Sequence, residues 1–151
     1  MAIEKTLLLI KPDGVQRGLT GEVLSRLEQR GLKLIGLKMM KMDESLARQH
    51  YEAHIDKDFF PSLTAFMMSS PLVAAVLEGP NAVQAARNIM GQTNPLNSAS
   101  GTIRGDFAVD IGRNVVHGSD SVASAVREIE LFFDHQELFN WSRAIDKWII
   151  E

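Results

Sequence analysis

The sequence predicts an α+β sandwich in which a four-stranded, mostly antiparallel sheet carries helices on its faces and a long inserted loop. Three observations carry that expectation. Four short apolar runs of strand length recur along the chain, amphipathic helical stretches separate them, and two helices rather than one fall between the second and third runs. With 151 residues, the chain suits one well-buried domain over 1–151 and is too short for two comfortable ones.

Residues 6–11 read as a buried strand, stopped by the turn-forming Pro12, Asp13 and Gly14, so Lys11 falls at a strand end. Thr20 is the expected cap of a helix with Val23, Leu24 and Leu27 on one face, and Gly31 is placed to end it. Residues 32–42 alternate roughly, as a second strand would. Asp43 then caps a predicted helix through about His54, and Pro61 suits the first turn of the next, whose stripe is Leu63, Phe66 and Met67. A third strand covers 72–77, punctuated by Glu78, Gly79 and Pro80; Asn81 is set to cap a helix over Ala82–Met90, closed by Gly91.

Residues 92–113 are rich in Gly, Asn, Ser and Pro and show no period. Structureless loops of that length are uncommon in compact domains unless they serve as lids or binding loops. The final strand, 115–117, leads into a helix expected to turn Val122, Ala125, Val126, Ile129, Phe132 and Phe133 inward, and a less regular tail ends in Trp148, Ile149 and Ile150. No repeat or low-complexity tract is present. The expected arrangement is a ferredoxin-like sandwich.

Composition narrows the function classes. A formal charge of −3 argues against a dedicated nucleic-acid site, which shows as a basic face and a high isoelectric point, so any phosphate site must be local. The absence of cysteine removes disulfides and thiolate metal sites and fits a reducing compartment. The only early apolar run, residues 7–10, is too short for a membrane span or a signal-peptide core, so a cytoplasmic location and no membrane partner are expected.

The stretch from Asn114 to Ser121 places His117 where a nucleophile would be useful. Val115 and Val116 deliver it at a strand end, Gly118 is read as permitting a tight turn, and Ser119, Asp120 and Ser121 offer cap chemistry for the next helix. A helix N-terminus beside that histidine supplies unpaired N–H groups for an anion; the competing reading is a satisfied strand-end histidine. No P-loop or protein-kinase signature is present, so phosphate recognition must come from separated side chains. Arg104, between Ile103 and Gly105 within the long loop, is read as a cation with no helical face to solvate, with Thr102, Thr93 and Asn94 near it. Arg87 reads either as a phosphate ligand or as a snorkelling arginine that covers core surface. Phe59 and Phe60 are a core anchor or leave one ring free to stack on a base. Tyr51 lies between His50 and His54, whose spacing resembles a metal pair without a third ligand, and no protein-held metal is expected.

Taken together, Lys11-Pro12-Asp13-Gly14, Thr93-Asn94-Pro95, 101–106 and 114–121 make the chain resemble the nucleoside diphosphate kinase family over essentially its full length. The Asn-x-x-His-Gly-Ser-Asp-Ser segment is the most specific part; the lysine-proline-aspartate-glycine turn alone would be weak. The resemblance implies ping-pong transfer of a terminal phosphoryl group from a nucleoside triphosphate such as ATP to a diphosphate, through phosphohistidine at His117. Neutral imidazole, dominant above the ordinary histidine pKa of about 6.5, attacks phosphorus without a separate base.

By the same resemblance, Glu128 holds the second ring nitrogen with support from Ser119, and Lys11 and Tyr51 lie near the transferring group. Arg87, Thr93 and Arg104 contact phosphates, Lys11 and Asn114 hold the ribose hydroxyls, and Phe59 stacks on the base in a slot completed by Leu63 and Ile111. Magnesium is expected to arrive bridging the nucleotide's phosphates rather than in a protein cage. Asp58 and Pro61, with Ser62 adjoining, depart from the family pattern at the cleft entrance, as does the tail after Glu137. The resemblance and the apolar tail together lead to an expected homohexamer, with a tetramer as the runner-up. The competing functional class is a binding or regulatory protein that keeps the fold without turnover.

Overall fold

The computed structural model describes residues 2–151. Strand β1 (Ile3–Ile10) lies inside a four-stranded sheet with β2 (Lys33–Met40), β3 (Leu72–Pro80) and β4 (Val116–Gly118), in the order β2-β3-β1-β4. All three pairings are antiparallel. Leu7 to Ile10 and Leu72 to Leu77 are continuous apolar runs because β1 and β3 are covered on both faces. Successive side chains go to opposite layers: Leu8, Ile10, Val73, Ala75 and Leu77 to one, Leu7, Leu9, Leu72, Ala74 and Val76 to the other.

Helices α2 (Thr20–Gln29) and α5 (Ala82–Met90) close the first layer with Val23, Leu27, Ala82, Ala86 and Met90. The second is closed by α3 (Glu44–His50), α4 (Phe60–Met68) and α7 (Val122–Phe132), through Ala47, Met67, Ile129 and Phe132. Asp43 caps α3 by accepting the Leu46 N–H at 2.8 Å, and Ser121 caps α7 by accepting that of Ser124 at 3.0 Å. The predicted sandwich and its element order are observed.

Several local readings need correction. Pro12, Asp13 and Gly14 do not simply turn but open a short helix, α1 (Pro12–Gln16), in which proline's missing N–H costs nothing at the first position. Thr20 lies inside α2 and Leu19 takes the cap position, while Asn81 stands at the cap of α5 in the left-handed region without a side-chain cap bond. The helix expected through His54 stops at His50, followed by a 3-10 turn over Glu52–His54. The third strand runs on through Pro80. The segment 92–113 is not structureless: it holds 3-10 turns at Pro95–Asn97 and Ile111–Arg113 around a helix, α6 (Ile103–Phe107), capped by Asn94, Asp110 and Thr102. Short polar caps closing single turns are invisible to a search for long periods.

Val122 and Val126, expected inside, are 49% and 57% exposed, since α7 turns Ala125, Glu128, Ile129 and Phe132 inward instead. Gly118 makes no turn either. It pairs with Leu8 in β4, and a Cβ there would lie 2.4 Å from Met90 Sδ, so glycine serves close strand-helix packing. In the tail, Trp141 Nε1 donates to the Leu34 carbonyl at 3.1 Å and Ile149 lies against Gly31, whereas Trp148 stays 80% exposed.

Candidate active site

The site is built where β4 meets β1 and α1. Val115, expected in the strand, adopts φ +74°, and the Val116 N–H donates to the Asn114 carbonyl at 2.8 Å, closing a three-residue turn. A buried β-branched residue in that region carries on the order of 1–3 kcal/mol of strain, so its neighbours must hold it. They do. The Lys11 N–H donates to the Val115 carbonyl at 2.9 Å, and the Val115 N–H donates to Asp13 Oδ2 at 2.9 Å. The next residue but one is His117, which pairs with Leu9 and therefore faces the layer that holds α7.

There Glu128 meets it. Glu128 Oε2 lies 2.7 Å from His117 Nε2, and Glu128 Oε1 accepts the Ser119 hydroxyl at 2.6 Å. Ser119 is not a helix cap; it is buried, and its Oγ also accepts the Leu7 N–H at 3.3 Å. The carboxylate is thus aimed by a hydroxyl anchored to β1, and it fixes the imidazole with Nε2 engaged and Nδ1 turned away from it. Burial pushes the Glu128 carboxyl up, but the hydrogen bond and charge of His117, the Ser119 hydroxyl and His50 outweigh it, leaving it below the usual carboxylate range.

Cations gather on the same rim. Lys11, buried at the end of β1, donates from Nζ to Asn114 Oδ1 at 2.5 Å, and Asn114 Nδ2 donates to the Thr93 carbonyl at 2.9 Å. Burial, then the opposing charge of Asp13, then repulsion from Arg104 and Arg113, leave the Lys11 ammonium lowered to about 8. Arg104 is not a loop cation: it lies buried on α6 and donates from Nε, Nη1 and Nη2 to the carbonyls of Asn114, Gly91 and Val116 at 3.2, 3.2 and 2.7 Å. Burial, and then the charge of Arg87, lower it to about 10. Arg87, half-buried on α5, reaches the Gly118 carbonyl at 3.4 Å.

The structure therefore brings together Lys11, Arg87, Thr93, Arg104, Asn114, His117, Ser119 and Glu128. Tyr51 joins them through His50, whose ring meets it edge-on at 4.5 Å; burial and the Glu128 charge push its hydroxyl upward. The proposed base slot is more open. Phe59 is 49% exposed and tilts against His54 at 5.4 Å, Leu63 is half-buried on α4, and Ile111 is exposed in its 3-10 turn. His50 and His54 do not form a pair: His54 goes to Phe59, while His50 turns inward to meet His117 edge-on at 4.9 Å.

Three residues escaped the sequence reading. Asp13, expected only in a turn, clamps Val115; its place two residues after the strand-end Lys11 is the one local signal. His50 is expected only as a partner of His54; its place against His117 depends on tertiary proximity that no local pattern signals. Arg113 was overlooked although it adjoins Asn114, and its guanidinium lies 4.0 Å from the centre of the Phe66 ring, with Lys11 Nζ 5.8 Å from that centre.

Burial first, and then the charge of His117, hold the His50 imidazole down to about 3. An unfolded chain takes up that proton near pH 6.5, so stability present above pH 6.5 is lost as pH falls toward 3, by about 2 kcal/mol between pH 7 and 5. His50→Phe is expected to lose correspondingly less over that interval in urea titrations at the two pH values. Equal losses in both proteins would remove His50 from the acid response.

A sheet sandwich that presents a carboxylate-held histidine among buried cations has the makings of a phosphotransferase. The chain belongs to the nucleoside diphosphate kinase family, whose model matches residues 4–138. It is 56% identical over 149 residues to a nucleoside diphosphate kinase of Gloeobacter violaceus, covering 99% of this chain and 100% of that protein. The nucleoside diphosphate kinase of Saccharomyces cerevisiae is 54% identical over 148 residues, covering 98% of this chain and 97% of that one. Among solved structures, the halophilic nucleoside diphosphate kinase of Halobacterium salinarum in complex with CDP superposes with a TM-score of 0.97 at 47% identity, covering 99% of this chain and 100% of that one.

Proposed function

We propose that this nucleoside diphosphate kinase works by ping-pong transfer through Nδ1 of His117, within a single catalytic domain spanning 1–151. The observation that carries this reading is the 2.7 Å contact between His117 Nε2 and Glu128 Oε2. With the imidazole proton on Nε2 and donated to Glu128, the Nδ1 lone pair attacks the terminal phosphorus of a nucleoside triphosphate. The bond from phosphorus to the bridging oxygen breaks, and the diphosphate leaves with that electron pair. Glu128 offsets the charge on the phosphorylated ring. A terminal oxygen of a second diphosphate then takes the phosphoryl group, returning the pair to Nδ1.

Lys11, Arg87, Thr93 and Arg104 serve the phosphates, Lys11 and Asn114 the ribose, Tyr51 the transferring group, and Phe59, Leu63 and Ile111 the base. The Halobacterium relative solved with CDP supports a diphosphate on this fold. Magnesium enters as part of the nucleotide complex. The grouped ligands among the described residues, His50, His117 and Glu128, are two-thirds nitrogen and suit it poorly. Mixing the protein with magnesium and ATP is expected to leave a phosphoryl adduct that acid removes and base preserves; its absence from folded protein would overturn the reading.

The Lys11 ammonium gives a pH signature. It loses its charge as pH rises through about 8, so kcat/KM for the triphosphate is expected to fall on that alkaline limb. Lys11→Arg, charged throughout, flattens the limb. An unchanged limb in that variant would assign the titration elsewhere.

The assembly we propose is a homohexamer in the cytoplasm. Among the described residues no helix is long and apolar enough to cross a membrane. Separate apolar patches support more than one kind of subunit contact: Leu37 and Met39 on the free edge of β2, Leu96 and Val109 in the segment 92–113, and Trp148 in the tail. Pro95, buried at the start of its 3-10 turn, stiffens that segment, so Pro95→Ser is expected to loosen the assembly more than it alters turnover. Sedimentation equilibrium across a dilution series checks this; a wild-type monomer, dimer or tetramer at micromolar concentration would refute the hexamer.

A further inference from the structure

The reaction leaves His50 without a task. Its side chain is 1% exposed, both ring nitrogens are buried without a hydrogen-bond partner, and Nδ1 lies 3.6 Å from Glu128 Oε2. Two orphaned polar atoms in one buried ring are expensive to keep. A neutral imidazole carries one nitrogen with a lone pair, and no hydrogen bond occupies it here. That nitrogen belongs to a cluster: one ligand atom each from His50, His117 and Glu128 lie within 4.8 Å of one another. Ligand atoms around tetrahedral zinc are about 3.3 Å apart, so a contraction within side-chain reach closes the triangle. Ser119 already holds the other Glu128 oxygen, as an outer partner of a metal-binding carboxylate does.

We propose that His50, His117 and Glu128 form an inhibitory site for a nitrogen-seeking divalent cation of the zinc class, distinct from the magnesium carried by the nucleotide. Two imidazoles and one carboxylate suit zinc or cobalt and not magnesium. Inhibition follows from the tautomer, and this step rests on the reading of Nδ1 as the nucleophile. The metal takes the lone pair of His117 Nε2; the proton displaced from Nε2 is taken up through solvent at Nδ1. The lone pair that attacks phosphorus is then tied up in an N–H bond. Metal and phosphoryl transfer exclude each other with no change in oxidation state. His117, with 29% of its side chain exposed, gives the ion its way in from the cleft.

The binding measurements use untagged protein and no nucleotide; the adduct measurements add magnesium and ATP, with a chelator selective for zinc over magnesium. Equilibrium dialysis against zinc alone is expected to show one ion per chain, and cobalt in its place the intense visible bands of a tetrahedral site. His50→Phe, which keeps an aromatic ring against Tyr51 and Phe132, is expected to weaken binding by about 100-fold or more, at least the loss caused by removing an outer partner. If that variant does not fold, His50→Gln carries the same expectation. Zinc-loaded wild type forms no phosphoryl adduct until a chelator is added, whereas zinc leaves the variant's own metal-free rate unchanged. No stoichiometric uptake by the wild type, equal uptake by the variant, or full adduct formation by the zinc-loaded enzyme would each overturn the proposal. Dialysis involves no turnover, so failure to bind zinc is separable from failure of His117 to carry phosphate, which the adduct test on metal-free protein reports.

Discussion

His117→Ala is expected to lower turnover by on the order of 10⁴-fold, the scale of removing a nucleophile, and to abolish the acid-labile adduct. The size follows from the absence of a substitute. Among the described residues, His50 is buried behind His117, His54 packs on Phe59, and His135 opens a 3-10 turn after α7. Nucleotide binding is expected to survive, because Lys11, Asn114 and Arg104 hold one another and the backbone without the imidazole. Rapid-quench measurement of adduct formation together with nucleotide titration separates the two effects. Wild-type turnover in this variant would sink the mechanism.

Arg104→Ala is expected to fail in two ways at once. Its three donors satisfy the Asn114, Gly91 and Val116 carbonyls, which belong to the strained turn, the end of α5 and the start of β4. Removing a charged donor from buried carbonyls costs about 1–3 kcal/mol each where water cannot follow, so a total near 3 kcal/mol is expected, read from the urea midpoint. Turnover falls by on the order of 100-fold, equally for purine and pyrimidine nucleotides, since the ligand served is phosphate. Arg104→Lys recovers little, because one ammonium cannot span three acceptors fixed for a planar fork. A base-selective loss would contradict the assignment, and unaltered stability would contradict the backbone role.

What could be read from the sequence divides along physical lines. Strands β1 and β3 announced themselves because two-sided burial demands unbroken apolar runs, and α5 because Asn81 and Gly91 bracket its apolar face. The segment around His117 was legible because reactive chemistry uses few residue types at fixed spacing. Residues defined by distant partners were not legible. Nothing local says that Val115 takes a left-handed conformation, since the acceptor that stabilises it is Asp13, 102 positions earlier. Arg104 read as free because its carbonyl partners are main-chain atoms, which look alike in any sequence. Val122 and Val126 misled for a simpler reason: an apolar side chain on a helix signals a face only when the direction of the core is known.

The Asp13 clamp and the Leu7–Ser119 contact, 112 positions apart, tie the reactive histidine to the first strand made. A chain emerging from the ribosome thus has β1, β2 and β3 available while β1 still waits for its last neighbour, and pairings of such long sequence separation form late. Until residues near Glu128 have emerged and β4 has zipped against Leu8, Leu9 and Ile10, no nascent chain carries a competent imidazole. A chain cut short of Glu128 therefore keeps its histidine but lacks the carboxylate that fixes the imidazole.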